Sequence, residues 1–198
     1  MSLAATLLPR FPGDLPVAQW VQSLASPWMD TVMKAVTLLG ETYVAGVSIL
    51  AVAAAFALAR RWPEGAAFMG AGIMEVVVQV AKSLIGRPRP PETLVRILEN
   101  GSSGSFPSGH VYHAVVLGGL LLALVVPGIR PVWLRRAVTA LIVLLVVAVA
   151  VSRVYLGSHW PSDVLGSVVL GIPSVALLVY VCRRLQGRET DGSHSGRD

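Results

Sequence analysis

The stretch WLRRAVTALIVLLVVAVAV, Trp133–Val151, decides the fold of this chain. After its two arginines it contains no charged residue, and its length matches the ~20 apolar residues that cross the hydrocarbon core of a bilayer as a helix. A helix that is apolar on all its faces differs from the amphipathic helices on the surface of soluble domains. The stretch therefore predicts a transmembrane helix.

Four other segments have the same apolar character and a similar length. They are Thr42–Ala59, Gly65–Ile85, Val111–Val126 and Val164–Cys182. Arg, Trp and Pro residues stand at their ends, as is usual where a helix reaches the membrane surface. The sequence therefore predicts an all-α protein, a polytopic bundle of membrane helices with five spans.

The two ends of the chain have a different character. Leu15–Leu39 is apolar but contains Pro27, Asp30 and Lys34, which favours helices at the membrane interface over a sixth span. Gln186–Asp198 is polar and rich in Gly and Ser, which is typical of disorder. The predicted division is an N-terminal interfacial helical segment (1–40), a membrane domain (41–185) and a disordered tail (186–198).

The overall composition excludes several other classes of protein. Of 198 residues, 54% are hydrophobic and only 14% are charged, whereas about a quarter are charged in a typical soluble domain. The single cysteine, Cys182, excludes a disulfide framework and a cysteine-built metal site. The net charge of +5 comes from cations at the ends of apolar runs, so we predict no nucleic-acid partner.

The distribution of these cations predicts the orientation of the bundle. With five alternating spans, eight cations fall on one side of the membrane and five on the other. The larger group is Arg60, Arg61, Arg130, Arg135, Arg136, Arg183, Arg184 and Arg188. Because cytoplasmic loops carry the excess of positive charge, the loops Gly86–Phe106 and Ser152–Pro161 are predicted to face the non-cytoplasmic side.

Three polar stretches lie at that outward end. They read KSLIGRPRP (Lys82–Pro90), PSGH (Pro107–His110) and SRVYLGSHWPSD (Ser152–Asp163). In an alternating bundle their lysine, arginine, serine and histidine side chains converge on one face. A cation cluster without matching carboxylates needs an anion, and phosphate suits it because arginine binds phosphate oxygens bidentately.

The second and third stretches add groups that fit chemistry on a bound anion. Ser108 is a natural N-cap, Gly109 allows close approach to the backbone, and the free amides of a helix start attract an anion. His110 then falls in the first turn of that helix. If the fifth span begins near Pro161, Asp163 follows His159 by one helical turn. A carboxylate on one imidazole nitrogen leaves the other nitrogen free as a nucleophile.

Together the three stretches resemble the signature of the type 2 phosphatidate phosphatase superfamily, the lipid phosphate phosphatases. This superfamily includes bacterial phosphatidylglycerophosphate and undecaprenyl-diphosphate phosphatases. Its pattern is KxxxxxxRP, PSGH and SRxxxxxHxxxD, and every position of the pattern is present. The matching residues are Lys82, Arg89, Pro90, Pro107, Ser108, Gly109, His110, Ser152, Arg153, His159 and Asp163. The resemblance implies an integral enzyme of a bacterial cell membrane with an outward-facing site.

The resemblance also implies roles for the matched residues. His159 is the nucleophile that forms a phosphohistidine, Asp163 orients it, and His110 protonates the leaving lipid oxygen and then activates water. The residues that hold the phosphate are Lys82, Arg89, Ser108, Gly109 and Arg153. No metal and no cofactor is expected. The expected substrate is a lipid phosphomonoester or diphosphate of the phosphatidic acid, phosphatidylglycerophosphate or undecaprenyl diphosphate class.

Some polar residues outside the chemistry receive lesser roles. Glu75 shares a helix face with Lys82, and an ionisable residue inside a span usually faces the bundle interior, so Glu75 is expected to contact another helix. His113 and Ser152 are expected to lie beside the site or to serve packing. Arg87 and Arg96 are expected to be solvated loop cations, with contact to a substrate head group as the alternative.

Three other functions use parts of the same pattern. A lipid phosphotransferase would pass the phosphoryl group to a second lipid. A vanadium haloperoxidase would hold vanadate in the same pocket, but those enzymes are soluble. A non-catalytic lipid-phosphate binding or transport protein would keep the anion site, although it would not need the pairing of His159 with Asp163.

Overall fold

The computed structural model describes residues 10–101 and 103–194. This part of the chain folds into seven α-helices joined by loops and short 3₁₀ or π turns. The helices are α1 (Asp14–Gln22), α2 (Pro27–Thr37), α3 (Thr42–Leu58), α4 (Trp62–Ile85), α5 (Gly109–Leu120), α6 (Val132–Tyr155) and α7 (Pro161–His194). The predicted all-α class is confirmed.

Within the described residues, four helical segments are long and apolar enough to cross a membrane. They are Trp62–Ile85, Gly109–Gly128, Val132–Tyr155 and Pro161–Gly187. A fifth span results if Pro27–Gly40 and Thr42–Leu58, which meet at a bend of 50°, cross together. Large apolar side chains such as Leu144 on α6 and Ile73 on α4 point outward. Such exposure fits a lipid surrounding, and the protein is an integral membrane protein.

The buried core joins α3, α4, α5 and α7. Phe68, Val116 and Leu120 are almost wholly inaccessible at its centre. Small residues bring α5 and α7 together, because a Cβ at Gly119 would lie 2.6 Å from the Val175 side chain. A small residue at this position thus allows the close approach of the two helices.

The N-terminal helices cover the end of the bundle where the polar loops lie. Ala18 of α1 packs against Val95 of the loop after α4 and Val154 of α6. The loops also contact each other, since the Leu98 amide donates a hydrogen bond to the Leu156 carbonyl at 2.9 Å. The N-terminal helices and the polar loops therefore cover one end of the bundle. At this end the C-termini of α4 and α6 meet the N-termini of α5 and α7.

The C-terminal part differs from the sequence expectation. The sequence predicts a disordered tail over 186–198, whereas α7 continues to His194. The residues between Gln186 and His194 include no proline, so the helix of the last span can extend by backbone hydrogen bonding without interruption. Residues 195–198 lie outside the described part of the chain.

Candidate active site

The first motif, Lys82–Pro90, spans the end of α4 and the start of the loop that follows this helix. Gly86 caps the C-terminal end of α4. Its φ of 60° lies in the left-handed region that favours glycine, and its amide donates to the Lys82 carbonyl at 3.1 Å. The chain then turns back, and the Ser105 amide donates to the Arg87 carbonyl at 2.7 Å. Lys82 lies in the last turn of α4 and is only 5% exposed.

His159 lies at the centre of the predicted site residues. Its ring is buried, with Nε2 3.5 Å from Nη1 of Arg89 and Nδ1 3.5 Å from Oδ2 of Asp163. Burial lowers the pKa of His159 to about 3; Asp163 opposes this shift, and the charges of Lys82 and Arg153 reinforce it. The ring is therefore neutral at physiological pH and keeps a lone pair on one nitrogen.

Asp163 is held in place by three donors besides its contact with His159. Nη1 of Arg87 donates to Oδ1 at 2.5 Å, and the Trp160 amide donates to Oδ2 at 2.8 Å. The Ser105 hydroxyl also donates to Oδ2. Because Trp160 directly precedes α7, Asp163 caps that helix as well as facing His159. The structural role of this carboxylate is compatible with the chemical role that the sequence predicts.

The predicted phosphate-binding cations lie around His159, but their partners differ from expectation. Arg89 donates to the Ser158 carbonyl at 2.7 Å, and burial together with the Arg153 charge lowers the pKa of Arg89. Arg153 donates to Glu99 at 2.8 Å and to the Thr37 hydroxyl. The expectation of cations without matching carboxylates is therefore wrong for Arg153. The spacing of the sequence does not predict the pairing of Arg153 with Glu99, because Glu99 lies in the loop after α4, 54 residues away along the chain.

The PSGH stretch starts α5 as predicted, but its serine does not cap the helix. Ser108 occupies the N-cap position with its side chain fully buried, and its hydroxyl makes no hydrogen bond within the described residues. A Cβ at Gly109 would lie 2.8 Å from the Gln79 amide nitrogen, so the end of that flexible side chain would have to move. The unpaired hydroxyl of Ser108 is available to another acceptor.

Buried polar atoms without a hydrogen-bond partner cluster among the site residues. Within the described part of the chain they include Ser108 Oγ, His110 Nε2, Arg153 Nε and His159 Nδ1. Buried polar groups normally have a partner, and an unpaired one is costly. An anion with several oxygens would accept bonds from the serine and arginine donors, which matches the predicted phosphate site.

The remaining predicted residues divide into two groups. Ser152 donates to the Val149 carbonyl in its own helix at 2.7 Å, so its bond serves α6 and not the site. Glu75 lies 2.5 Å from Nδ1 of His113 on α5, which provides the interhelical partner expected for Glu75. This pair lies about two turns of α4 below Lys82.

We expect the Glu75→Gln variant to unfold at a lower temperature than the wild type. Glutamine keeps the size of the side chain but loses the carboxylate that contacts Nδ1 of His113, at a cost of about 1–3 kcal/mol for a group of this burial. Thermal unfolding in detergent measures the effect, with the exposed Glu92→Gln as control. An unchanged melting temperature would remove Glu75 from any structural role.

Two residues that contact the site were missed by the sequence reasoning. Arg87, expected to be a solvated cation, has a side chain with 0% exposure that contacts both Asp163 and Asp14. Asp14 lies in the N-terminal stretch to which no chemical role was given. The expectation for Arg87 is wrong because its partners come from helices 73 and 76 residues away in sequence. Arg96 remains partly exposed and pairs with Asp30 at 2.7 Å.

One group of side chains near the site could share a metal ion. Glu41, Glu99 and His110 present ligand atoms that all lie within 4.8 Å of one another. Nε2 of His110 is 3.6 Å from Glu41, while Glu99 is already bonded to Arg153. The sequence offers no acidic cluster, and the fold assembles this one from the α2–α3 junction, the loop after α4 and α5.

A cavity of about 580 Å³ opens beside the site between α3, α4 and α5. Its upper wall includes Gly40, Gln79 and Gly109, and its lower wall is mainly apolar, with Ile49 and Val76 among the lining residues. Of the predicted phosphate-binding residues, Gly109 lines this cavity, and the Glu75–His113 pair lines it as well.

Comparison with known proteins gives one family and several relatives. Residues 64–187 match the sequence profile of the PAP2 superfamily. A phosphatidylglycerophosphatase B of Bacillus subtilis is 29% identical over 151 residues, which cover 75% of this chain and 73% of that protein. A decaprenylphosphoryl-5-phosphoribose phosphatase of Mycobacterium tuberculosis is 32% identical over 163 residues, which cover 80% and 85%. The crystal structure of a transmembrane PAP2-type phosphatidylglycerolphosphate phosphatase from Bacillus subtilis superposes with a TM-score of 0.75 at 26% identity, and covers 94% of this chain and 92% of the other.

Proposed function

Because the chain belongs to the PAP2 superfamily, we propose that it hydrolyses a phosphomonoester or diphosphate of a membrane lipid through a phosphohistidine intermediate. The observation that carries this proposal is the environment of His159. Its buried, neutral ring lies between Arg89, which attracts a phosphate, and Asp163, which stabilises positive charge on the ring. The same ring in a purely binding site would have no use for the carboxylate.

In the first step, a ring nitrogen of His159 attacks the phosphorus while the bond from phosphorus to the lipid oxygen breaks. His110 donates a proton to the departing oxygen. Lys82, Arg89 and Arg153 balance the charge on the phosphoryl oxygens, together with the Ser108 hydroxyl and the Gly109 amide. In the second step, His110 removes a proton from water, the water oxygen attacks the phosphohistidine, and inorganic phosphate leaves.

The cavity beside the site supports a lipid as the substrate. Its mainly apolar lining suits an acyl or prenyl chain, and Gly109 of the proposed phosphate site is part of its wall. The named relatives act on phosphatidylglycerophosphate and decaprenylphosphoryl-5-phosphoribose, which both join a phosphate to a long apolar chain. The proposal therefore covers phosphatidic acid, phosphatidylglycerophosphate and undecaprenyl diphosphate.

The charge distribution supports a site on the non-cytoplasmic side of the membrane. Arg60 and Arg61 follow α3, and Arg135 and Arg136 lie in the first turns of α6, at the end of the bundle opposite His159. The excess of such residues marks the cytoplasmic end. Substrates would then reach His159 from the outer leaflet.

The proposed function is tested by phosphate release from a panel of lipid phosphates and diphosphates by the detergent-purified protein. We expect release that EDTA does not diminish. Release that EDTA abolishes would instead assign a metal ion to Glu41, Glu99 and His110. No release from any lipid would contradict hydrolysis, and adding a second lipid as acceptor would then test phosphotransfer.

We expect Arg153→Lys to reduce kcat/KM about 10–100-fold even though the charge is kept. Lysine cannot reproduce the guanidinium fork, and a hydrogen bond to a charged group contributes about 1.5–3 kcal/mol. Arg89→Lys should behave alike. The matched control is Arg96→Lys, because Arg96 bonds Asp30 at the edge of the protein. Full activity of both site variants would indicate that positive charge alone holds the phosphate, without specific hydrogen bonds from the guanidinium groups.

A further inference from the structure

A buried chain of charges connects the N-terminal helix with the residues around His159. Oδ2 of Asp14 accepts from Nη2 of Arg87 at 3.0 Å, and Nη1 of Arg87 donates to Oδ1 of Asp163 at 2.5 Å. Both carboxylate side chains are at most 2% exposed, and the arginine side chain is fully buried. Arg87 therefore stands between two carboxylates, and only one of them faces His159.

Asp14 also holds the start of α7. The Ser162 amide donates to Oδ1 of Asp14 at 2.9 Å, and the Ser162 hydroxyl donates to Oδ2 at 2.8 Å. The same hydroxyl accepts from Nη1 of Arg87 at 2.8 Å. A carboxylate at a helix N-terminus is favoured by the free amides and the helix dipole. Asp14 thus contacts the residue next to Asp163 and the arginine bonded to Asp163.

The charges in this chain matter for the proposed reaction. Asp14, Arg87 and Asp163 together carry one net negative charge when all are ionised. When His159 bonds to phosphorus and keeps its other proton, its ring becomes positive. Without Asp14, the positive charge of Arg87 would cancel Asp163, and the ring would lose its compensating charge in a buried environment, where such interactions are strong.

We propose that Asp14 is a positioning residue that, through Arg87 and Ser162, holds Asp163 in place and keeps its negative charge effective toward His159. This inference rests on the proposed function. It makes α1, which lies outside the segment matched by the family profile, a part of the catalytic apparatus. Phosphate binding does not involve Asp14, because its partners are Phe11, Arg87 and Ser162.

The test is the Asp14→Asn variant of the full chain in detergent. Asparagine keeps the size of the side chain and removes its charge. We expect kcat to fall on the order of 10²-fold while KM stays within about threefold, because stabilisation in the transition state is lost and phosphate binding is kept. The matched control is Asp30→Asn, which removes the acidic partner of Arg96 in α2 and should leave kcat within about threefold. An Asp14→Asn enzyme with wild-type kcat, or with a raised KM alone, would overturn the inference.

A second measurement does not depend on turnover. Nitrogen-15 NMR of histidine-labelled protein reports the tautomer of His159, whose signals are assigned with the His159→Ala variant. We expect one tautomer, protonated at Nδ1, in the wild type and a mixture in Asp14→Asn. Unchanged His159 signals would contradict the inference even if the wild type released no phosphate, a result that by itself would contradict only the proposed function. If Asp14→Asn does not fold, Ser162→Ala removes one link of the chain and should shift the same signals in the same direction.

Discussion

The His159→Ala variant is expected to release phosphate from lipid phosphates on the order of 10⁴-fold more slowly than the wild type, or to release none. Removing a covalent nucleophile eliminates the two-step route, and the remaining groups can only assist a direct attack by water. The buried position between Arg89 and Asp163 makes His159 the candidate for this role. Initial rates of phosphate release measure the effect.

The control for this prediction is His194→Ala, a histidine at the opposite end of α7. Brief incubation with a phosphorus-32-labelled lipid phosphate, followed by denaturation, should trap label on the protein in a form that is stable to base and labile to acid. The His159→Ala protein should carry none. Label retained by that variant would place the phosphoryl group on another residue and exclude His159 as the nucleophile.

The His110→Ala variant is expected to lose activity in a way that depends on the leaving group. Loss of a general acid costs about 10²–10⁴-fold when the departing group is a lipid alkoxide. A nitrophenyl phosphate needs no proton to leave, so its rate should fall much less. The first turn of α5 places His110 next to Ser108 and Gly109, which are proposed to bind the phosphate, so His110 is in a position to donate a proton to the leaving oxygen.

The comparison of the two substrates distinguishes proton donation from general damage to the site. His113→Ala, one turn further along α5, removes the partner of Glu75 and should affect both substrates to the same degree. Equal losses on both substrates in His110→Ala would contradict the general-acid assignment. They would favour a role for His110 in the second step only, where water attacks the phosphohistidine.

The sequence by itself determined the class of fold and the identity of most candidate site residues. Long uncharged runs such as Trp133–Val151 specify membrane helices through hydropathy, which is a local property. The interval between His159 and Asp163 is also local, because His159 lies two residues before α7 and Asp163 lies in the first turn of that helix. Their proximity therefore follows from neighbouring positions along the chain.

The tertiary structure alone decided which charges face each other. Arg87 was expected in solvent, yet it is buried between Asp14 and Asp163, and Arg153 was expected to lack a carboxylate, yet it binds Glu99. Each pair joins elements more than 50 residues apart in sequence. No local periodicity encodes such a pairing, because it depends on how the N-terminal helices and the loop after α4 close over the end of the bundle. A buried charge is stable only beside an opposite charge. The packing of the N-terminal helices and the loop after α4 therefore determines which charged side chains pair.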